Sequence, residues 1–229
     1  MTKNFVKIGQ RIVGQVRFVP TLSSWQDTSD VSKNFEKEFE HWRIANRQDV
    51  TLYSPDEYKL FQILYNSISY VNEKEENIEE LSANLQKAFN LMNDDQKEFE
   101  HLGFRNIQIF GTKFDFNELV DLLYSKIYMN DILQISSDKV NDVLFSINAV
   151  KDGINNNVIL GPVTKEEALQ RFNSQFDVKK SIDKIDDYKS YIFLDVDTYI
   201  KSEKGIEKID SLIGKNLEIV TSYLEYIVK

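Results

Sequence analysis

The stretch Tyr191 to Ile200, YIFLDVDTYI, sets an Asp-x-Asp-Thr directly behind an apolar run. In phosphatases with an aspartate nucleophile a buried strand ends in Asp-x-Asp-Gly-Thr, the first Asp attacking phosphorus and the second handling the proton. Here the Gly is missing, because Thr198 directly follows Asp197. Such a motif also opens its domain, whereas only Thr198 to Lys229 follow it in this chain. Alternation along a strand puts Tyr191, Phe193, Asp195, Asp197 and Tyr199 on one face, and Ile192, Leu194, Val196 and Ile200 on the other. An uncharged aliphatic face is what a half-buried strand requires, so both carboxylates are expected to face water. A cleft on that side would instead suit a basic ligand or peptide.

Working outward, further strands and amphipathic helices follow from pattern. Ile12 to Val19 is β-rich, with Gly9 and Gly14 on one side and Pro20 on the other. Thr21 to Asn34 is polar and reads as a loop, and Phe39 to Tyr53 reads as extended. Ser54-Pro55-Asp56-Glu57 reads as a turn into a strand over 58–71, because Ser67-Ile68-Ser69-Tyr70-Val71 is poor helix material. The alternative is a capping box at Ser54 opening a helix. Asn77 caps a helix striped by Ile78, Leu81, Leu85, Ala88, Phe89 and Met92; Asp115 and Glu118 open another, and Thr164 with Glu167 a shorter one. Val143 to Val150 alternates, then passes through a loop at Asp152 to Asn157 into Val158-Ile159-Leu160. Phe172 to Lys189 is uneven and reads as a long loop. The last helix, from about Gly205 to Val228, carries Ile206, Ile209, Ile213, Leu217, Val220, Leu224 and Ile227 at three- and four-residue spacing. Hairpins in both halves, without sustained βαβ alternation, predict an α+β fold. Its mainly antiparallel sheet is covered on one face by helices, with a long amphipathic helix at the end, in a single domain over 1–229.

The composition narrows the function. The chain has 229 residues, 41% of them apolar, enough to bury a sizeable core. Lys and Arg number 28 against 37 Asp and Glu, a net charge of −9, which argues against nucleic acid as a main partner. Without cysteine there is no disulfide, thiolate metal site or thiol nucleophile. No apolar run has membrane-spanning length, and the N-terminal stretch lacks the apolar core of a signal peptide, so no membrane partner and a cytoplasmic location are expected.

Templates for catalysis find little purchase. Gly9-Gln10-Arg11-Ile12-Val13-Gly14 begins with P-loop spacing, but Gln15-Val16 replaces the Lys-Ser/Thr that would reach phosphate and magnesium. No Ser sits in a nucleophile elbow, and only His41 and His101 could serve as imidazole bases. No cofactor is expected. Lys37 to His41 recurs as Lys97 to His101, with Asn46 and Gln48 matching Asn106 and Gln108, a weak internal repeat of 37–48 in 97–108.

Leu102-Gly103-Phe104-Arg105-Asn106 and Leu194-Asp195-Val196-Asp197-Thr198-Tyr199 resemble two landmarks of a sporadically distributed family of uncharacterised bacterial proteins. In that family a Gly-Leu/Phe-Arg-Tyr-Ile-Asn-type segment precedes a helix, and a Leu-Asp-Ile/Val-Asp strand precedes the last helix. This chain departs from the pattern at Asn106, where the family tends to have Tyr. The resemblance implies a protein of horizontally mobile loci, where defence proteins concentrate, and supplies no activity.

The leading expectation is therefore a non-catalytic binding or protein-interaction protein, with a protein partner or a second copy of the chain. Its candidate binding residues are Tyr191, Phe193, Asp195, Asp197, Tyr199, His101 and Arg105. The alternatives are a metal-dependent hydrolase using Asp195 and Asp197, and a small-ligand binder with a cavity between sheet and helix.

Overall fold

A computed structural model describes residues 5–20, 22–46, 49–74, 77–92, 99–128, 140–172, 174, 176, 182, 184–203 and 206–228. The strands are β1 (Phe5–Phe18), β2 (His41–Asn46), β3 (Asp49–Ser54), β4 (Lys59–Leu64), β5 (Ser67–Asn72), β6 (Phe99–Thr112), β7 (Phe145–Lys151), β8 (Ile154–Val163) and β9 (Ser190–Glu203). The helices are α1 (Leu22–Lys33), α2 (Ile78–Leu91), α3 (Phe116–Ile127), α4 (Lys165–Phe172) and α5 (Lys208–Val228). All nine strands form one antiparallel sheet in the order β2-β3-β4-β5-β1-β6-β9-β8-β7. This is the α+β architecture expected from the hairpin signals.

The order reads outward in both directions from the central β1/β6 pair, through β5, β4, β3 and β2 on one side and β9, β8 and β7 on the other. Each half ends in a helix, α2 after β5 and α5 after β9, and these helices pack on the same face of the sheet. The similar segments 37–48 and 97–108 do not occupy matching places. His41 opens the edge strand β2, whereas His101 lies in the central β6.

On the first face, α1 and α2 cover Ile12, Val16, Phe61, Ile68 and Phe104, while α3 and α5 cover Phe110, Leu160, Ile192, Leu194 and Val196. The capping signals hold in detail. Asn77 accepts from the Glu80 backbone, Asp115 and Glu118 close a reciprocal box, and Thr164 and Glu167 exchange hydrogen bonds at 2.9 and 3.3 Å. Between the two apolar clusters α5 inserts the buried Asn216. Its Nδ2 donates to Phe104 O at 3.2 Å, Val196 O at 2.9 Å and Thr198 Oγ1 at 3.1 Å.

Several local expectations are corrected. The polar segment 21–34 contains α1, which Val31 and the adjoining Phe35 anchor in the core, and Ser32 Oγ donates back to Thr28 O at 2.6 Å. Tertiary burial outweighs a composition that disfavours helix. The extended reading of 39–53 holds for β2 and for all but the last residue of β3, whereas the strand read over 58–71 is the hairpin β4–β5, with Leu64 opposite Ser67 across a two-residue turn. The loop read over 152–157 shrinks to Asp152-Gly153, both at positive φ (54° and 76°), the signature of a hairpin turn whose twist suits its strands. Asn155, Asn156 and Asn157 thereby join β8. The start of the last helix at Gly205 and much of the loop read over 172–189 lie outside the described residues.

Candidate functional site

The second face of the sheet, carrying the Asp-x-Asp motif, is not the solvated surface expected from alternation. Residues opposite one another in an antiparallel ladder point to the same side, so β1, β6 and β9 present five rows there. In chain order along β9 these are Gly9–Ile109–Phe193, Arg11–Ile107–Asp195, Val13–Arg105–Asp197, Gln15–Gly103–Tyr199 and Arg17–His101–Lys201. The first row is roofed by α4 together with Ile182 and Ile185. Phe172, Ala168, Ile182 and Ile185 pack on Ile109, Tyr191 and Phe193. Tyr191 and Phe193 are thus core residues, and Asp195 is only 4% exposed. The alternation was right, but α4 supplies a cover on this side that the pattern of β9 could not reveal.

Arg11 marks the end of the roof. Its Nη1 donates to Phe172 O at 3.1 Å, capping the last turn of α4, and its Nε lies 3.7 Å from the buried Glu73. Beyond it the face opens and becomes polar. Arg105 binds Asp195 with two parallel hydrogen bonds, Nε to Oδ1 at 2.9 Å and Nη2 to Oδ2 at 2.6 Å. Both oxygens of Asp195, the nucleophile position of the hydrolase reading, therefore accept from a guanidinium. Asp197 stands opposite Arg105 and is half-buried. Burial raises its carboxyl pKa, Arg105 and Arg17 pull it down, and Asp195 adds to the rise. Among the described residues no group of three His, Asp or Glu side chains converges as a metal site would require.

The sequence matches no protein-family model and no curated protein.

The last two rows form the open end. Gly103 has no side chain, and the imidazole of His101 folds over it. A Cβ placed there would lie 2.6 Å from His101 Nε2 and 3.3 Å from Tyr199 Cβ. The His101 ring stacks on Tyr199, with centroids 4.9 Å apart at 25°. Arg17 and Lys201 flank His101 directly across the ladder. Arg17 is oriented by Gln15 Oε1 at 2.8 Å, and the Lys201 ammonium sits 5.5 Å from the Tyr199 centroid. Burial foremost, and then these two cations, lower the His101 pKa. Among the described residues neither Arg17 nor Lys201 has a carboxylate within ion-pair distance.

Of the residues picked from sequence, Asp195, Asp197, Tyr199, His101 and Arg105 come together, whereas Tyr191 and Phe193 belong under α4. Arg17, Lys201 and Gln15 were missed. Their signal was present in the sequence, as charged and polar residues at alternate positions of strands otherwise rich in apolar residues, but which strands are neighbours had to be known first. The sheet–helix cavity of the third reading has a counterpart on the other face, a cleft of about 230 Å³ lined by Phe5, Phe110, Ile192, Leu224 and Ile227. Its walls are almost wholly apolar, and among its described lining residues only Thr221 and Glu225 are polar.

Proposed function

We propose that this chain is a non-catalytic binding protein that holds an anionic group of its ligand on the open end of the second sheet face. The supporting observation is the row Arg17–His101–Lys201. Like charges close together on a sheet face repel one another, and here two obligate cations, each directly opposite His101, share one row with that titratable imidazole in a chain of net charge −9. A phosphate or carboxylate would relieve that repulsion with charge-assisted hydrogen bonds. The half-buried rings of His101 and Tyr199, stacked on each other, offer an aromatic surface for the rest of the ligand. Arg105 and Asp195, tied to each other, hold the wall of the site and do no chemistry in this reading. A cytoplasmic setting fits the reading, as does a ligand carried by a partner protein.

Titration calorimetry at low salt with inorganic pyrophosphate and with citrate tests the proposal and separates phosphate from carboxylate preference. Binding is expected with the intact chain and is expected to weaken at least tenfold in Arg17→Gln/Lys201→Gln. Intact protein that takes up neither anion overturns it.

A further inference from the structure

The edge strand β2 lies far from this site in the sheet order, and it is unlike the other strands. All six of its residues are exposed, and among the described residues its one partner strand is β3. An edge strand shows unpaired backbone N–H and C=O groups that can accept another strand, and proteins usually blunt such edges. Here the edge carries large apolar side chains instead, Trp42 at 55% and Ile44 at 62% exposure. Both lie above a groove of about 250 Å³ between α1 and the sheet, whose lining includes Ser29, Ser32, Val50 and Leu52. On the opposite side of the same strand stand His41 and Arg43, over Tyr53 and Thr51 of β3.

We infer that β2 is a docking edge for an extended segment of another protein, one whose residues alternate apolar and acidic. The strand period dictates this partner. Apolar side chains at every second position fall beside Trp42 and Ile44 and into the groove, and the intervening carboxylates fall opposite His41 and Arg43. Backbone hydrogen bonds supply affinity, and the two faces supply specificity. A second copy of β2 fits less well. The antiparallel register that pairs Trp42 of each copy with Ile44 of the other sets Arg43 against Arg43. The register that pairs the two Trp42 rings sets Arg43 against His41. The register that pairs Ile44 with itself puts Trp42 against Asn46 and loses the apolar match.

Fluorescence anisotropy of labelled ten-residue peptides on the full chain provides the test. The first peptide alternates Val or Leu with Glu, the second replaces Glu by Lys, and the third scrambles the first. The first is expected to bind at least tenfold tighter than either other, and Arg43→Glu is expected to transfer the preference to the Lys peptide. Ile44→Lys is expected to abolish binding; because Ile44 is exposed, the fold survives, as an unchanged circular dichroism melt would show. Equal affinity for all three peptides, or no binding of any, overturns the inference. So does a dimer in sedimentation that Ile44→Lys dissolves, since a second copy would then occupy the edge.

Discussion

Arg105 and Asp195 sit diagonally across the β6/β9 ladder and close a two-pronged ion pair at 2.9 and 2.6 Å, with the Asp195 side chain 6% exposed and that of Arg105 49% exposed. Removing one partner of such a pair strands the other. Arg105→Met is expected to cost about 2–3 kcal/mol in urea unfolding. This is less than the ~3–5 kcal/mol of a fully buried pair, because the guanidinium is half in water. Replacing both partners, Arg105→Met with Asp195→Leu, is expected to recover most of the loss. If Arg105→Met alone melts like the parent, the pair does not hold this part of the sheet.

Asn216 joins the middle of α5 to the backbones of β6 and β9 and to Thr198. Asn216→Leu keeps the branched shape at a somewhat larger volume and removes the donor, leaving Thr198 and the Phe104 and Val196 carbonyls without the hydrogen bonds they accept from Asn216. A loss of about 1–3 kcal/mol is expected, read as a lowered urea midpoint with the slope unchanged. A more stable Asn216→Leu variant would show that α5 is held by its apolar stripe alone.

The fold was legible where periodicity and caps coincide. The helices at Asn77, Asp115 and Thr164 each begin with a side chain that can satisfy free backbone N–H groups, and each appears as read. The stripe of α5 gave its buried face, yet Asn216 falls on that stripe between Ile213 and Val220, where a polar residue already hints at a buried hydrogen-bonding role. Turn chemistry was less informative. Tyr65-Asn66 lacks glycine and hid the β4–β5 hairpin, whereas Asp152-Gly153 was bracketed within too long a loop. The candidate site depended on pairing across strands far apart in sequence. Asp195 looks like a surface residue within β9 alone, and only α4 and Arg105, 90 residues away, explain its burial.

Gly14 of β1 faces α2. A Cβ there would lie 2.4 Å from Leu85 Cδ1 and 2.7 Å from Leu81 Cδ2, and both leucines are fully buried. Gly14→Ala must therefore push α2 off the sheet or force its leucines off their rotamers, at a cost of about 1–3 kcal/mol in thermal or urea unfolding. Gly153, whose added Cβ meets nothing within 4 Å, tests the other use of glycine. At φ 76° Gly153→Ala is expected to destabilise through backbone strain alone.

Asp197 has a carboxyl pKa raised above 3.8, chiefly by burial. Between 3.8 and the folded value the native chain holds more protons than the unfolded one, so Asp197 costs stability as pH rises through that window, and the full cost persists at neutral pH. Asp197→Asn is accordingly expected to raise the unfolding midpoint at pH 7 and to change it little below pH 3.8. A variant less stable at pH 7 would show that the charge is needed by Arg105 more than it is penalised by burial.

His101 behaves in the opposite sense. Its folded pKa lies below 6.5, through burial first and then through Arg17 and Lys201. Between the folded value and 6.5 the unfolded chain binds more protons, so stability attributable to His101 rises with pH across that window and is flat above it. The groups around the imidazole are Arg17 of β1, Lys201 and Tyr199 of β9, and more distantly Asp197. Proton NMR of the His101 ring is expected to give a midpoint below 6.5 that moves up in Arg17→Gln, with burial preventing full recovery. Protonation adds a third positive charge to the row, so an anion held there must bind more tightly at lower pH and, by linkage, raise the His101 midpoint. Sulfate is the suitable probe, because its charge stays constant from about pH 5 to 8 while the imidazole titrates. A His101 midpoint that sulfate leaves unmoved, in a chain whose Arg17→Gln variant shifts it as expected, would place the anion elsewhere while leaving the electrostatics of the row intact.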